Sequence, residues 1–239
     1  MLHTALGAAA AVVALAFALS TLERWLAARR PQELAWTAAL VMFSLASAFL
    51  AAGAAGGWNE PVFKLFWYFG AVANVPFLAL GTVYLLFGRR AGNAWAVAIA
   101  LAVAFAGGVI TTAPLQTPIP VDELPRGSEV LGVLPRVLAA VASGGGAVVV
   151  IGGALWSAVR YRRGRMVWAN VLIALGTAVT GASGLLNSVM DEMTGFAVFL
   201  VAGIVIIFSG FLVASSSAVT AAPVAAPSRP DLVGATPRT

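Results

Sequence analysis

The sequence predicts an all-α membrane protein: a bundle of seven transmembrane helices with its N-terminus outside and its C-terminus in the cytoplasm. The prediction depends on an apolar composition, seven long uncharged segments and an uneven distribution of arginine. Of the 239 residues, 61% are hydrophobic and only 10% are charged, whereas a soluble domain carries about a quarter charged residues. The mean hydropathy is +0.95. Only lipid solvates so much apolar surface.

Seven segments satisfy the requirement of a membrane-spanning helix, which is roughly 20 mainly apolar residues. They are residues 4–22, 34–56, 62–87, 94–112, 137–159, 167–186 and 195–214. The only charged residue inside them is Lys64, one turn into the third segment. Residues 1–214 are therefore expected to form one transmembrane domain. Residues 215–239 are rich in Ala, Pro and Ser, which predicts a disordered cytoplasmic tail.

The orientation follows from the positive charges between these segments, because cytoplasmic loops carry the excess of Lys and Arg. The first, third and fifth connections hold nine arginines, whereas the opposite side of the membrane holds only Lys64, Arg126 and Arg136. The nine are Arg24, Arg29, Arg30, Arg89, Arg90, Arg160, Arg162, Arg163 and Arg165. All seven tryptophans also fall near predicted segment ends, where their rings prefer the headgroup level. The excess of Ala, Gly and Arg indicates a bacterial source, so the expected location is the bacterial plasma membrane.

Several classes of function are excluded by missing residue types. Cysteine is absent and His3 is the only histidine, which excludes thiol catalysis, thiolate metal sites and paired imidazole ligands. No predicted span contains Asp, Glu or His, so intramembrane proteolysis and proton transport through buried carboxylates are not expected. The last span has no lysine to which retinal could be attached, so a retinal protein is not expected. We therefore predict no catalytic residue, metal ligand, cofactor or nucleic-acid partner.

Polar residues inside the spans are the candidates for a cavity or a hinge. They are Asn74 and Pro76 in the third span, and Asn170 and Thr177 in the sixth. Proline frees a backbone carbonyl that Asn74 could help to satisfy, and the result is either a functional hinge or a static kink. Asn170 and Thr177 lie on one helix face with Gly184, which indicates either a packing seam or a polar path.

Three further features concern the ends of the spans. Arg160, Arg162, Arg163 and Arg165 are candidates for a cytoplasmic interaction. Glu60 and Lys64 are four residues apart, which favours an ion pair, with the ammonium reaching outward to the interface. The proline-rich residues 113–136 predict an extended or turn-rich outer loop. Its acidic residues, together with Asp191 and Glu192 of the last outer loop, are expected to be solvated charges, with a cation site as the alternative.

The segment from Arg29 to Arg90 resembles the N-terminal seven-helix membrane region of some bacterial sensor histidine kinases. The resemblance depends on the short arginine-bearing first loop, the small residues of the second span, the run LFWYFG leading to Pro76, and the closing TVYLLFGRR. It implies a free-standing, non-enzymatic sensor-like or scaffold module that couples to a separate signalling or membrane protein. Besides the lipid bilayer, a second copy of the chain is another candidate partner, and the ligand is not identified.

A small-solute transporter of the seven-helix, three-plus-one-plus-three type is the alternative. The second and sixth spans can be aligned as LAWTAALVMFSLASAFLAAG and MVWANVLIALGTAVTGASGL, which indicates a parallel repeat. A transporter would have a cavity at the bilayer midplane, lined by Asn74 and Asn170.

Overall fold

The computed structural model describes residues 2–121, 123–161, 164–189 and 193–219, without some side chains of the last two helices. Regular structure in these residues is helical, apart from one antiparallel bridge between Leu115 and Leu131. The helices are α1 Leu2–Ala28, α2 Pro31–Gly56, α3 Glu60–Trp67, a π-helix Tyr68–Ala73, α4 Asn74–Thr112, α5 Gly127–Val130, α6 Val133–Tyr161, α7 Gly164–Val189 and α8 Met193–Val219. The all-α class is therefore confirmed.

Four of the helical stretches are long and apolar enough to cross a membrane, judged by length and composition. They are Leu2–Ala28, Pro31–Gly56, Glu60–Thr112 and Val133–Arg160, and shorter apolar stretches lie at Val171–Gly181 and Val198–Gly210. Many large apolar side chains on them face outward, such as Leu101 (66% exposed) and Val148 (72% exposed). A soluble protein rarely exposes such extensive apolar surface. The composition and the fold therefore agree on a helical membrane protein.

The stretch Glu60–Thr112 is 53 residues long and folds back on itself at Gly88. Gly88 has φ 79° and ψ −175°, a conformation that glycine adopts at little cost. Lys64 bonds to the carbonyls of Thr111 and Ala113, and the Tyr84 hydroxyl bonds to Asn93. Residue numbers of the bonded partners therefore rise along one arm and fall along the other. Residues 60–87, the first arm, and residues 89–112, the second arm, form an antiparallel hairpin.

The hairpin between α1 and α2 has a comparable turn. Arg29 has a positive φ of 51°, and its amide donates to the Trp25 carbonyl at 2.7 Å, which ends α1. Arg30 is extended, with φ −82° and ψ 121°, as expected for a residue before proline. Pro31 then starts α2, where its missing N–H would be unpaired in any helix.

The long helices pack in a closed ring. Along the chain, α1 packs on α2, α2 on the hairpin, the hairpin on α6, α6 on α7 and α7 on α8, and α8 also packs on α1. Between α7 and α8 the backbones are close because a Cβ at Gly176 would lie 2.6 Å from the Ile207 nitrogen. Glycine allows such close approach between helices in lipid.

The first arm lies at the centre of these contacts and runs parallel to α6. Ser143 bonds to Ala71, and a Cβ at Gly146 would meet Val75 at 2.8 Å. Both pairs are about 71 residues apart, so residue numbers rise together along the two helices. In the glycine run at residues 144–146 of α6, Gly146 is therefore the residue that allows close packing on the first arm.

Several predicted boundaries move. Helix α6 begins at Val133 rather than at residue 137, so Pro135 and Arg136 belong to its first turn. Helix α8 continues to Val219, so the first residues of the predicted tail are helical, and residues 220–239 lie outside the described part of the chain. The described residues of the remaining loop, 113–121 and 123–132, are non-helical except for α5, as the prolines predict.

Candidate functional site

The bundle has two chemically different ends. Because α1 and α2 are antiparallel, and α2 in turn runs antiparallel to the first arm, the turns at Arg29 and Gly88 lie at the same end. Helix α6 is parallel to the first arm and finishes there as well. We call it the arginine end; it carries Arg24, Arg29, Arg30, Arg89, Arg90 and Arg160. The opposite end, covered by residues 113–132, is the loop end.

The π-helix is the irregular element of the first arm, where it packs on α2, the second arm and α6. Its wider turn is visible at its end, where the Asn74 amide donates to the carbonyl of Phe69, five residues back. Pro76, two residues on, has no N–H to donate to the preceding turn. Instead, the Ser143 hydroxyl of α6 donates to the Ala71 carbonyl at 2.6 Å. Single-turn π segments inside α-helices occur frequently at functional sites.

Asn74 and Pro76 are both buried in this region. Asn74 is 8% exposed, and its Oδ1 atom has no hydrogen-bond partner. The bond to the π-helix comes from Ser143 and not from Asn74, in contrast to the role expected for Asn74. A buried amide oxygen without a donor typically costs about 1–3 kcal/mol. The first arm therefore holds an unsatisfied polar group next to its irregular turn.

Lys64 lies at the loop end, one turn before the π-helix. Its Nζ atom is 2.7 Å from Glu60 Oε1, so the expected ion pair is present. It also donates to the carbonyls of Thr111, at 3.1 Å, and Ala113, at 2.8 Å. Lys64 is only 7% exposed, because its ammonium is enclosed by Glu60 and by the end of the second arm. The unpaired carbonyls there attract it, and whether the ammonium lies at the membrane interface stays a prediction.

A groove of about 540 Å³ opens beside this ion pair. It follows the seam between the two arms, with Leu65 and Phe69 on the first arm and Gly107 and Thr111 on the second. Tyr68 also lines it, with its hydroxyl 3.4 Å from the Val103 carbonyl. The volume lies within the range of small-molecule sites. Asn74 does not line this groove.

The loop end is closed by an apolar cluster. Leu124, Val130 and Leu131 of the loop pack on Leu50, Trp58 and Phe63 of the helices. The Trp58 amide donates to the Val121 carbonyl at 2.9 Å, and the Gln116 amide donates to the Val130 carbonyl at 2.9 Å. Trp58 is only 3% exposed, so its ring is part of this core. Residues 113–132 therefore form an ordered cover.

The arginine end contains a buried polar cluster that sequence reasoning missed. Arg24 Nε donates to Glu33 Oε2 at 3.2 Å, and Glu33 is 9% exposed. Nearby, the Thr37 hydroxyl donates to the Thr21 hydroxyl at 2.8 Å. The signal for this cluster is weak in sequence, since opposite charges flank a short turn in many helical hairpins. Arg29 stacks on the Trp25 ring, with its Cζ atom 4.6 Å from the ring centroid.

The remaining predicted site residues are only partly covered by the structure. Thr177 is buried at 7% exposure, and its hydroxyl donates to the Ile173 carbonyl of its own helix at 2.7 Å. The side chain of Asn170 lies outside the described residues. Close packing of α7 on α8 uses Gly176, which is next to Thr177 of the predicted seam, and Thr180, which lies three residues after Thr177. Of the interaction candidates, Arg160 is exposed, whereas Arg162, Arg163 and the Arg165 side chain are outside the description.

The acidic residues of the loops are also covered in part. Glu129 accepts a bond from Arg126 Nη1 at 3.0 Å, and it is the acid of an exposed ion pair. Asp122, Asp191 and Glu192 lie outside the described residues. For those three residues, both alternatives, solvated charges and a cation site, stay predictions.

Comparison with known proteins finds no relative of this chain: no family model matches it, and no curated protein or solved structure matches it significantly. The function is therefore inferred from the residues and their geometry.

Proposed function

We propose that this protein is a seven-span protein of the bacterial plasma membrane, with its loop end outside and its arginine end in the cytoplasm. The spans are α1, α2, the two arms of the hairpin, α6, α7 and α8. The fold-back at Gly88 supports counting Glu60–Thr112 as two spans. The collection of arginines at one end supports the orientation, because positive residues are retained on the cytoplasmic side.

Within this topology we propose a non-enzymatic, sensor-like module that couples to a separate protein at its arginine end. The observation that carries the proposal is the π-helix beside Pro76 and the unpartnered Asn74 oxygen. This irregular turn lies in the central first arm, between the groove at the loop end and the turn at Gly88. One side-chain bond from α6, donated by Ser143, holds this π turn. The same segment has a second conformation, the regular α turn, so a ligand can shift the balance between the two. The resemblance to sensor kinase membrane regions agrees with this function.

The transporter alternative requires a midplane cavity lined by Asn74 and Asn170. The groove beside Lys64 lies at the loop end, and Asn74 is packed close to α6 rather than lining it. No specific observation favours transport, and we place the sensor-like function first.

The topology can be tested with single cysteines, since the natural chain has none. We expect a membrane-impermeant maleimide to label Leu2→Cys and Val121→Cys in intact bacteria, because these positions are 57% and 59% exposed and lie at the loop end. Arg90→Cys and Thr239→Cys should react only after the cells are permeabilised. Labelling of Thr239→Cys in intact cells would refute an odd number of spans.

The coupling can be tested by crosslinking in native membranes. We expect a partner protein to be recovered with the natural chain and lost with the triple variant Arg89→Gln, Arg90→Gln, Arg160→Gln, whose substituted side chains are exposed at the arginine end. Arg136→Gln at the loop end is the control and should retain the partner. Recovery of no partner, or equal recovery with both variants, would contradict the proposed coupling.

A further inference from the structure

The groove along the hairpin seam is a second candidate site, and its lining is chemically asymmetric. Pro61, Leu65 and Phe69 recur at four-residue spacing along the first arm and form an apolar wall. From Pro61 to Phe69 a helix rises about 12 Å, so this wall is long and narrow. Gly107 keeps the opposite wall low, since it has no side chain to fill the space. The groove is therefore shaped for an extended aliphatic chain.

Among the residues that the structure describes, the polar end of the groove offers an acceptor and no free cation. An ammonium has three N–H donors, and the three short contacts of Lys64 go to Glu60, Thr111 and Ala113. The Glu60 side chain is 51% exposed, and its carboxylate keeps acceptor capacity beyond the one contact with Lys64. A ligand head that donates hydrogen bonds and carries an ammonium fits this end, whereas a head group with net negative charge finds no free cation among the described residues.

The surroundings of the groove identify lipid as the source of the chain. On the second arm, Leu101 is 66% exposed and Phe105 is 61% exposed, one turn apart on a face that continues toward the groove. A Cβ at Gly108 would have nothing within 4 Å, so this face is open. In the proposed topology these residues contact the outer half of the bilayer.

We propose that the groove binds an outer-leaflet phospholipid with a primary ammonium head group, of the ethanolamine class. The acyl chain lies against Leu65 and Phe69, and the ammonium donates to the Glu60 carboxylate. This assignment rests on the proposed topology, which places Glu60 at headgroup level on the outer side. The bound lipid would be the ligand of the sensor-like module, next to the π-helix.

The test compares lipid retention by the full chain and its variants. The chain is reconstituted with equal amounts of phosphatidylethanolamine, phosphatidylcholine and phosphatidylglycerol of matched acyl chains. It is then extracted in mild detergent, and the lipids that remain bound are identified by native mass spectrometry. We expect phosphatidylethanolamine to be retained preferentially. Glu60→Gln, which keeps the size of the side chain, should lower that preference about two- to fivefold, the effect of a partly exposed charge pair.

A matched pair of glycine variants tests the place of binding. Gly107→Val puts a side chain into the groove, where its Cβ would meet the Tyr68 ring at 3.1 Å, whereas Gly108→Val meets nothing within 4 Å. Both replace glycine in the same helical turn, so their effects on helix formation are matched. We expect Gly107→Val to lose retained lipid and Gly108→Val to keep it.

Three outcomes overturn the assignment: equal retention of the three lipids, no effect of Glu60→Gln, or the same retention by both glycine variants. If the cysteine labelling comes out as expected and the lipid test fails, only the lipid site is refuted. If the labelling fails, the topology is refuted, and lipid retention can no longer be assigned to an outer-leaflet site.

Discussion

At the scale of single residues, Lys64 shows how a membrane bundle accommodates a charge. A lysine near the end of a span usually extends toward the interface, and this one is 7% exposed because its ammonium is bonded at the loop end. The reason is local: the second arm ends at Thr112, and its last carbonyls have no helical donor. Lys64 supplies that donor from the neighbouring arm and is neutralised by Glu60.

Replacing Lys64 by methionine should destabilise the protein by about 1–3 kcal/mol, because two carbonyls and one carboxylate lose a charged donor. Glu60→Gln should change stability by less than about 1 kcal/mol, since its side chain is half-exposed and exposed ion pairs are weak. Unfolding in detergent micelles, followed by circular dichroism, measures both. Equal effects of the two variants would show that the carbonyl bonds contribute nothing.

Ser143 has a similarly specific role. Its hydroxyl bonds to the Ala71 carbonyl of a different helix at 2.6 Å, whereas the Ser209 hydroxyl bonds to Val205 of its own helix at 2.9 Å. Serine and threonine in membrane helices commonly make the second kind of bond. The first kind joins α6 to the π-helix.

Ser143→Ala should therefore destabilise the bundle by about 0.6–1.7 kcal/mol, the range of interhelical hydrogen bonds in membrane proteins. Ser209→Ala should have a smaller effect. Thermal unfolding of the two purified variants measures the difference. A Ser143→Ala variant as stable as the natural chain would mean that the π turn does not need this bond.

At the scale of elements, the helices contact one another through glycines at selected positions. In α6, a Cβ at Gly146 would lie 3.0 Å from the Val75 carbonyl oxygen, whereas Gly144 and Gly145 have nothing within 4 Å. The sequence shows three equivalent glycines in a row. Only one of them faces the first arm, because successive helical residues point in different directions.

Gly146→Ala should destabilise the protein by about 1–3 kcal/mol, because the added methyl group forces the backbones of α6 and the first arm apart. Gly145→Ala is the matched control and should be neutral or stabilising by up to about 1 kcal/mol, since alanine is the better helix former. Both are measured by thermal unfolding. If Gly145→Ala is the more harmful change, Gly146 is not the glycine that faces the first arm.

At the scale of the whole molecule, the ring of helices is closed by the contact between its first and last members. Ala10, Ala14 and Ala18 of α1 share a buried cluster with Ile204 of α8. The rings of Phe17 and Phe208 are stacked across the same interface. The first and the last of the described helices are thereby joined, which closes the ring.

The stacked pair can be measured with a double-mutant cycle. Phe17→Ala and Phe208→Ala should show a coupling energy of about 0.5–1.5 kcal/mol in unfolding experiments, as aromatic pairs do. Phe17→Ala combined with Phe105→Ala is the control and should be additive, since Phe105 is 61% exposed on the second arm. Additivity of the Phe17 and Phe208 changes would argue against closure at this point.

The sequence by itself determined the helical class, the approximate ends of the apolar segments and the separation of arginines from the other end. These features depend on composition and on local signals such as Gly88 and Pro31, which act within a few residues. The Glu60–Lys64 pair could be predicted for the same reason, since it lies within one helical turn. Pro76 likewise marked the place where the first arm is irregular.

Only the tertiary structure decided which groups these residues meet. The bond from Ser143 to Ala71 spans 72 residues, and Lys64 reaches carbonyls on another helix, so neither follows from spacing along the chain. The groove exists because two arms pack with Gly107 between them, and the unpartnered Asn74 oxygen is visible only once its neighbours are placed. Sequence periodicity defines the face of a helix, whereas the crossing of helices defines what that face touches.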